Sequence, residues 1–587
     1  MLKDKLKLKN DLDTIEKDTK NPENIRKKHL LKDKIEEIEE YLANKNAEKQ
    51  ANVIIEHLEE LSGDDGEFSS IKMWNLKKKL YFQNQDVPMA MLDEAGNLIT
   101  NKMSLLKLYQ KTYSDRLAHK PMQEDWKDLQ KLKESLFSDR LSNSSASISK
   151  DWKESEITNV CSKLKSGKAR DRDDLIFELF NPAVCGADMS RSLQKLFNGI
   201  KNRLEIPQFM KKVAITSLYK NKGCKSDFSN QRGIFNVSKV RSILDKVLYN
   251  DVYENIDQEL SYSNIGARRG RNIRDHLFVV YAIINDVING ASPPIDIQSI
   301  DINKCFDEMW YAETHNDLYD VKIQDKKFAL IAKLYEEAQV IVKTPAGPTS
   351  EFKLKHLIMQ GSVFGPIKSR IQIDTLGRDC IGYNQGLFKY KNVTSIPPLA
   401  LIDDCLAFSK CSTDAVQVNA ILNSKIASKK LRLSSKKCHH LHIAKKQSKC
   451  YNNLKAGSES MKKSEECSYL GDTLSVTGSV DTTIEKRRQK GIGICSQIFG
   501  MVNGLSLGHY YFRIAFLFRE TMLLNGMLTN LEVWHPVSIS QLEVLEKIDA
   551  GFIRKILKCH SKTPKEALYL ETGLLPLSHA KKINVFA

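Results

Sequence analysis

The amino-acid sequence predicts an α+β fold, because strand-like and helix-like patterns occupy different stretches of the chain. Residues 295–301 alternate apolar and polar side chains, which is typical of a β-strand. Residues 399–408 contain two short apolar runs separated by a pair of aspartates, the pattern of a β-hairpin. Residues 151–290 are mostly helical in pattern, with one long helix predicted from Val240 to about Leu260.

The length and charge of the chain limit its class of function. With 587 residues it is long enough for about three to four domains. The 90 Lys and Arg residues outnumber the 73 Asp and Glu residues, and the net charge of +17 favours a nucleic-acid partner over an anionic membrane. The sequence shows neither a signal-peptide core nor an apolar run of the roughly 18 residues that span a bilayer. We therefore expect an intracellular protein, in the nucleus or cytoplasm, without a membrane partner.

The first 150 residues carry little recognisable chemistry. Residues 1–66 are predicted to form a charged amphipathic helical segment, because apolar residues recur every three or four positions between residues 31 and 61. A coiled-coil interaction protein built on this segment would explain only the first tenth of the chain. Residues 67–150 are predicted to be an extension and linker, in which the basic segment 71–79 is either a phosphate contact or an exposed helix face.

Basic residues beside glycine turns mark the helical stretch that follows. Lys220 and Arg232 flank a turn-rich segment and suit contact with a triphosphate or a template backbone. Residues 266–272 form a basic glycine loop that contains Arg268, Arg269 and Arg271 and precedes a helix. Taken singly, each of these pieces is also consistent with a solvated basic turn.

Three carboxylates are the strongest chemical signal. Asp403 and Asp404 lie at the tip of the predicted hairpin, where two like charges are either simply hydrated or close to a divalent cation. Asp301 ends the strand 295–301 and supplies a third carboxylate on a separate strand. Mg²⁺ prefers a couple of carboxylates together with phosphate oxygens, so this combination favours a metal site. A glycine turn, Gln360-Gly361, separates the two acidic stretches and leads into a helix.

The Cys and His residues do not favour a zinc site. The 12 Cys residues include no Cys-x-x-Cys pair, and in an intracellular protein they are expected to be reduced. The densest cluster, Cys438 to His442, lies on a predicted strand whose alternation would divide the side chains between two faces.

The order of these features resembles the palm of a reverse transcriptase, from motif A to motif E. The residues that carry the resemblance are, in motif order, Asp301 with Phe306, Gln360-Gly361, Asp403-Asp404, Lys437, and Tyr469-Leu470-Gly471. Blocks outside the palm are similar to those of non-LTR (LINE-type) retrotransposon polyproteins, and the resemblance covers roughly residues 70–587. The blocks are Lys168-Ala169, Pro207, Lys220, Asn230 to Ile234, Gly266 to Asn272 and Glu532 to Trp534.

The resemblance implies a right-hand polymerase. Its parts would be a helical N-terminal extension, fingers at residues 151–290, a palm with an antiparallel sheet at residues 291–472, and a helical thumb or connection at residues 473–587. The sequence contains no recognisable endonuclease domain. We therefore expect the core of a longer, truncated polyprotein, with a nuclease supplied in trans.

The resemblance also implies an RNA-directed DNA polymerase that joins dNTPs to a DNA primer or nicked target on an RNA template. Asp301, Asp403 and the carbonyl of Ile302 would bind two Mg²⁺ ions, with Mn²⁺ as a substitute, and Asp404 would support them. For the nucleotide, the resemblance implies a sugar gate at Phe306, triphosphate binding at Lys220 and Arg232, and base-pair contact at Gln360 and Gly361. It implies that Lys437 protonates the pyrophosphate. For the nucleic acid, it implies a primer grip at Tyr469, Leu470 and Gly471 and backbone binding at Arg268, Arg269 and Arg271.

Several positions depart from the family pattern and leave alternatives open. They are Gly233 in place of Pro, Ala267 in place of Phe, Asp171 in place of Gly, and the charged Lys368 and Arg370 in the motif B helix. One alternative is a catalytically decayed, retrotransposon-derived nucleic-acid-binding protein. Another is an RNA-dependent RNA polymerase, which shares the metal site.

Overall fold

The computed structural model describes most of the chain in two compact units. The described residues are 31–32, 34–35, 37, 90–117 and 126–577, without residues 304, 337, 355–358, 360, 384–386, 391–393, 411, 446–453, 504–510 and 535–536. One unit lies within Gln85–Ser479 and the other within Met1–Asn84 and Val480–Ala587. Among the described helices, none has the length and apolar character needed to cross a membrane. Gln360, the basic segment 71–79 and most of the segment 1–66 lie outside the described residues.

The unit within Gln85–Ser479 contains helices and sheets. Its helices are α1 (Lys102–Leu117), α2 (Lys127–Ala146), α3 (Glu154–Ser162), α4 (Pro182–Cys185), α5 (Ala187–Arg203), α6 (Gln208–Lys211), α7 (Lys239–Glu259), α8 (Ile273–Asn289), α9 (Cys305–Glu308), α10 (Tyr311–Asp320), α11 (Lys326–Tyr335), α12 (Gly365–Tyr383) and α13 (Ser412–Ser428). Its strands are β1 (Met91–Leu92), β2 (Leu98–Ile99), β3 (Lys212–Tyr219), β4 (Gln231–Val237), β5 (Ile295–Asp301), β6 (Gln339–Thr344), β7 (Gly347–Pro348), β8 (Phe352–Lys353), β9 (Lys389–Tyr390), β10 (Thr394–Ser395), β11 (Leu399–Leu401), β12 (Asp404–Ser409), β13 (His439–Ile443), β14 (Lys455–Ala456), β15 (Glu459–Ser460), β16 (Lys462–Lys463), β17 (Glu466–Tyr469) and β18 (Asp472–Ser475).

The sheet that carries the acidic residues has the strand order β11–β12–β5–β13–β16. Its central strand β5 pairs antiparallel with both β12 and β13, and β11 pairs antiparallel with β12. Buried Ile300 and Ala407 pack in one core with Val418 and Leu422 of α13. Because successive strand residues point to opposite faces, burial of Ile300 against this helix directs Asp301 to the other face.

A second sheet, with the order β4–β3–β6–β7 and β8 attached to β6, lies in the segment predicted as fingers and in the chain that follows Asp301. Strand β3 is antiparallel to β4 and parallel to β6. Fully buried Tyr109, Phe197, Val213, Leu244 and Phe328 belong to the core around this sheet. This core holds the strand β4 that carries Arg232. The domain boundaries at residues 150, 290 and 472 stay predictions.

The described part of the unit that includes Val480–Ala587 is helical. Its helices are α14 (Asp481–Asn503), α15 (Tyr511–Phe518), a π-helical segment (Arg519–Leu524), α16 (Asn525–Leu528), α17 (Ile539–Ile556) and α18 (Lys565–Thr572). A buried ion pair lies inside, in which Arg519 donates two hydrogen bonds of 2.6 Å to the carboxylate of Asp549. The Tyr569 hydroxyl donates a third hydrogen bond to Asp549, over 3.0 Å.

The buried pair predicts a stability effect. Arg519→Met leaves the Asp549 carboxylate buried without its cation and is expected to lower the free energy of unfolding by about 3–5 kcal/mol. Urea denaturation followed by circular dichroism measures this. The double variant Arg519→Met with Asp549→Leu, which removes both charges, should recover most of the loss. Equal destabilisation of the single and double variants would contradict the prediction.

Candidate active site

The three predicted carboxylates lie together at one edge of the sheet. Asp301 is the last residue of β5 and is paired in register with Asp404, the first residue of β12. Ile402 and Asp403 form the tight turn between β11 and β12. Ile402 adopts a φ of +58°, a left-handed conformation that costs a β-branched residue about 1–2 kcal/mol. The sheet register thus brings carboxylates from two distant parts of the sequence into one site.

The electrostatics of this edge are unfavourable for three ionised carboxylates. Desolvation by the surrounding protein and the charge of Asp301 raise the pKa of Asp403 above its ordinary value. Desolvation and the charges of Asp403 and Asp301 raise the pKa of Asp404 to about 6. Lys437 is the nearby counter-charge, with its Nζ 3.0 Å from both carboxylate oxygens of Asp301. The edge therefore has an excess of negative charge that a cation would relieve.

A backbone carbonyl complements these carboxylates. Ile302 forms an antiparallel bridge with Leu433. The backbone hydrogen bonds of this bridge are formed by the residues on either side of Ile302 and Leu433, not by these two residues themselves. In such a bridge the carbonyl of Ile302 points away from Leu433, toward the side of the strand on which β12 lies. This direction agrees with the predicted role of the carbonyl as an oxygen donor beside Asp403.

The donor set fits Mg²⁺, although no preformed cage is present. Within the residues that the structure describes, no group of three His, Cys, Asp or Glu side chains is arranged to hold a metal ion. Carboxylates and a carbonyl at a partly open edge are nevertheless the oxygen donors that Mg²⁺ uses, with phosphate oxygens and water completing its shell. A metal ligated by Asp301 would replace Lys437 as the partner of that carboxylate.

Arg232 and Lys220 differ in their surroundings. Arg232 is exposed on β4, and its positive charge acts on Asp403, whose pKa it lowers slightly against the dominant effect of desolvation. Its guanidinium therefore lies within the field of the acidic edge, where a triphosphate would bind. Lys220 follows β3 and donates a 2.8 Å hydrogen bond to the carbonyl of Ser229. Nucleotide binding by both residues stays a prediction.

Phe306 and Gly361 pack against neighbouring parts of the fold, and their roles in nucleotide binding stay predictions. Phe306 lies in α9, soon after Asp301, and its half-buried ring packs against the core of the acidic sheet. Gly361 has a φ of +104°, and a Cβ atom there would lie 2.9 Å from the carbonyl oxygen of Phe235 on β4. Only glycine fits this turn, because both its backbone conformation and its contact with β4 exclude a side chain.

The predicted primer grip is a tight hairpin with a buried anchor. Leu470 and Gly471 connect β17 to β18 and both have positive φ values, of 47° and 86°, as a type I′ turn requires. Tyr469, which precedes the turn, is buried, and burial raises its pKa well above the ordinary value. Its hydroxyl lies 3.0 Å from Nδ1 of His276, a residue without any distinguishing pattern in the sequence.

The basic loop divides into buried and exposed arginines. Arg268 is only 6% exposed and forms a 3.0 Å ion pair with Asp257 of α7. Arg269 lies over the ring of Tyr253, 4.1 Å from its centroid. Arg271 is 37% exposed and lies 5.7 Å from the ring of Tyr262, which is itself 76% exposed. Tyr262, which no sequence signal identified, and Arg271 offer an aromatic face and a cation of the kind that single-stranded nucleic acid binds.

Two departures from the family pattern, Lys368 and Arg370, are buried and have specific partners. Arg370 of α12 donates a hydrogen bond of 3.1 Å to Asp257, the same carboxylate that binds Arg268. Lys368 lies 2.9 Å from Nε2 of His315 and 3.7 Å from the ring centroid of Tyr335, and burial lowers its pKa well below the ordinary value. These charged residues are therefore integrated into the packing around the motif B helix.

The His-rich strand β13 supports a carboxylate on the other face of the sheet. Nε2 of His440 and Nδ1 of His442 lie 2.6 Å and 3.0 Å from the same oxygen of buried Asp296. Although burial opposes ionisation, these hydrogen bonds hold the pKa of Asp296 at about 2. His439 instead contacts Ser464, so the cluster is divided as the alternation predicts.

Comparisons with known proteins show what the segment with the acidic edge is similar to. Residues 220–474 match the family model described as reverse transcriptase (RNA-dependent DNA polymerase). Among solved structures, apo telomerase from Candida tropicalis, truncated from its C-terminal domain, is similar over 50% of this chain and 60% of its own, with 13% identity and a TM-score of 0.32. The chain thus spans less than two thirds of that structure. No curated protein matches the sequence significantly.

The family match covers the acidic edge and the primer-grip hairpin. Residues 220–474 are therefore similar to reverse transcriptase domains, which are RNA-directed DNA polymerases and nucleotidyltransferases. The right-hand polymerase fold and its mixed α+β architecture, with an antiparallel pairing of β12 and β5, are confirmed.

The two kinds of arginine in the basic loop predict different phenotypes. If Arg271 contacts a phosphate as predicted, Arg271→Ala should weaken binding of an RNA–DNA duplex and reduce the slope of log affinity against log salt by about 1. Arg268→Ala should instead lower the free energy of unfolding by about 1–3 kcal/mol, since Asp257 loses a buried partner but keeps Arg370. Fluorescence anisotropy at several salt concentrations and urea denaturation separate the two. An unchanged salt slope in Arg271→Ala would contradict the binding role.

His276 predicts a pH-dependent stability. Burial lowers its pKa to about 4 in the folded protein, below the ordinary value of 6.5. The unfolded chain then binds more protons between these values, so stability is lost as the pH falls from 6.5 to 4, by up to about 3 kcal/mol. His276→Gln should flatten this part of the stability curve, as measured by denaturation at each pH. Parallel curves for the variant and wild type would contradict the prediction.

Proposed function

We propose that the chain is the reverse transcriptase of a non-LTR retrotransposon, copying an RNA template into DNA by adding dNTPs to a primer 3′-OH. The observation that carries the proposal is the register of the acidic edge. Asp301 is paired with Asp404 beside Asp403, and the carbonyl of Ile302 points to the same side. The similarity of blocks such as Lys168-Ala169 and Gly266 to Asn272 to LINE-type elements supports the narrower assignment.

In this proposal the acidic edge holds two Mg²⁺ ions through Asp301, Asp403 and the carbonyl of Ile302, and Mn²⁺ would serve in their place. The bound metal supplies activation of the primer hydroxyl and neutralisation of the triphosphate charge. Asp404 remains a supporting carboxylate that increases the negative field at the edge. Lys437 would leave Asp301 when that carboxylate binds the metal, and we assign it the role of proton donor to the leaving pyrophosphate.

The remaining residues orient the substrates. Arg232 and Lys220 bind the triphosphate from the second sheet, and Gln360-Gly361 contacts the template or the incoming base pair. Phe306 crowds the sugar 2′-position and so selects dNTPs. Tyr469, Leu470 and Gly471 hold the primer. Arg271, the exposed arginine that lies near Tyr262, binds the nucleic-acid backbone.

The proposed partners follow from this chemistry. They are an RNA template, a DNA primer or target, dNTPs and a nuclease that acts in trans to nick the target. An intracellular location, in the nucleus or the cytoplasm, and the absence of a membrane partner belong to the same proposal. The competing function is a catalytically decayed nucleic-acid-binding protein, which the departure at Ala267 from the family pattern favours.

Primer extension on an RNA template tests the proposed activity. Asp403→Ala should reduce extension in the presence of Mg²⁺ by about 100-fold or more, because metal ligation supplies several kcal/mol of transition-state stabilisation. Asp404→Asn should lose less, and circular dichroism should show both variants folded. If wild type and Asp403→Ala extend the primer equally little, the decayed binding protein is the correct interpretation.

Nucleotide selectivity separates a reverse transcriptase from an RNA-dependent RNA polymerase. Phe306→Ala should lower the ratio of kcat/KM for dNTPs over NTPs by about tenfold or more, because it opens space for the 2′-OH. Phe306→Tyr, which keeps the ring, should retain the wild-type ratio. A wild type that prefers NTPs, or an unchanged ratio in Phe306→Ala, would refute the gate.

A further inference from the structure

We propose that His276 is a positioning residue that couples the primer-grip hairpin to the catalytic hairpin through a chain of buried hydrogen bonds. The inference rests on the proposed function, because it concerns the placement of a primer end beside the carboxylates. The coupling runs through residues 261–266, which we name the brace loop. This loop connects α7 to the basic loop, with which it shares Gly266.

The hydrogen bonds of His276 connect two elements of the site. Its Nδ1 lies 3.0 Å from the hydroxyl of Tyr469, and its Nε2 lies 2.9 Å from the carbonyl oxygen of Ser263. The same carbonyl accepts a 2.9 Å hydrogen bond from the backbone N–H of Ala400 on β11. Ala400 lies three residues before Asp403. One carbonyl of the brace loop thus links the primer grip to the strand that leads into the catalytic turn.

The chemistry of these partners fixes the direction of each bond. The Ser263 carbonyl can only accept, so Nε2 of His276 carries the proton and donates it. Because His276 is 3% exposed and neutral, its Nδ1 is an acceptor, and the Tyr469 hydroxyl must donate to it. A single tautomer therefore satisfies every member of the chain, and an apolar ring in its place would satisfy none.

The brace loop also supports the catalytic turn directly. The N–H of Ile265 donates to the carbonyl of Ala400 over 3.1 Å, so the loop pairs with β11 at the edge opposite β12. A Cβ atom at Gly266 would lie 3.0 Å from the backbone nitrogen of Ile402, the left-handed residue of the turn. A shift of the brace loop would therefore be transmitted to Asp403.

A second set of contacts fixes the brace loop on the motif B helix. Asn264 donates a 2.9 Å hydrogen bond from its side chain to the carbonyl of Arg370 on α12. The N–H of Ser261 donates to Asp374 of the same helix over 3.0 Å. With one side held on α12, the bond to His276 determines how the primer-grip hairpin lies relative to the carboxylates.

Tyr281 provides a matched control on the same helix. Its hydroxyl donates a 3.3 Å hydrogen bond to Asp472, which follows the primer-grip turn on β18. Tyr281 therefore links α8 to the same hairpin as His276 does, but from a position five residues, more than one helical turn, further along the helix. A general loosening of α8 against the hairpin would affect both variants alike, whereas the proposed coupling involves His276 alone.

Steady-state primer extension with the full chain tests the coupling. His276→Phe should lower kcat at saturating template–primer by about tenfold to a hundredfold, as misplacement of reacting groups by an ångström does, while the KM for dNTP stays within about twofold. His276→Gln, which can accept from Tyr469 and donate to Ser263, should restore most of kcat. Tyr281→Phe should retain the wild-type kcat. The variant with both His276→Phe and Tyr469→Phe should be no slower than His276→Phe, because both changes break one chain.

Other outcomes would overturn the proposal. The kcat of His276→Phe could be no lower than that of Tyr281→Phe, or His276→Gln could fail to restore kcat. The fall in kcat could also match the fall in the folded fraction of the variant, as measured by thermal unfolding.

Hydrogen exchange provides a readout that does not need activity. His276→Phe should increase exchange at residues 261–266 and 399–404, and unchanged exchange there would refute the coupling. A wild type that fails to extend primers would refute the proposed function instead, with the exchange result still deciding the role of His276.

Discussion

Mutual repulsion among Asp301, Asp403 and Asp404 is the constraint on which the acidic edge depends. Three carboxylates can be held together only because the sheet beneath them is anchored by an apolar face that includes Ile300 and Ala407. Desolvation and then this crowding raise the pKa of Asp404 to about 6. Lys437 relieves part of the charge at Asp301, and the remainder is available to attract a divalent cation.

The surrounding elements hold this unfavourable arrangement in place through buried polar contacts. Asp257 joins Arg268 to Arg370, which ties the region of the basic loop to the motif B helix. The Ser263 carbonyl receives bonds from both His276 and Ala400. Since buried polar groups are costly when unpaired, such contacts specify one position for each element more sharply than apolar packing alone. The site is therefore stabilised from its sides as well as from beneath.

Local sequence patterns were sufficient to locate the acidic edge, because strand alternation and a pair of adjacent carboxylates are visible within a few residues. The turn at Leu470-Gly471 could likewise be predicted from its sequence motif, and the positive φ values of both residues agree with a tight hairpin. The burial of Arg268 could not be predicted from the sequence, because its partner Asp257 is brought near it only by the packing of α7. The role of His276 was hidden for the same reason, since Tyr469 lies far along the chain.

The departures at Lys368 and Arg370 illustrate the same limit. From the sequence they suggested drift in a decaying element, because charged residues are not expected inside the motif B helix. In the folded chain they face His315 and Asp257, so both buried side chains have specific polar partners. Charged residues at these positions are therefore not by themselves evidence for loss of activity. Gly233 also has a specific neighbour, because a Cβ atom there would lie 2.9 Å from the ring of Tyr113, whereas nothing in the structure explains Ala267.

The most direct measurement of the central claim is the structure of the chain with Mg²⁺, an RNA–DNA template–primer and a dNTP on a primer that lacks its 3′-OH. We expect metal density between Asp301 and Asp403, with the Nζ of Lys437 moved away from the Asp301 carboxylate. A nucleotide bound in the palm while Lys437 stays on Asp301 and no metal contacts either carboxylate would contradict this expectation.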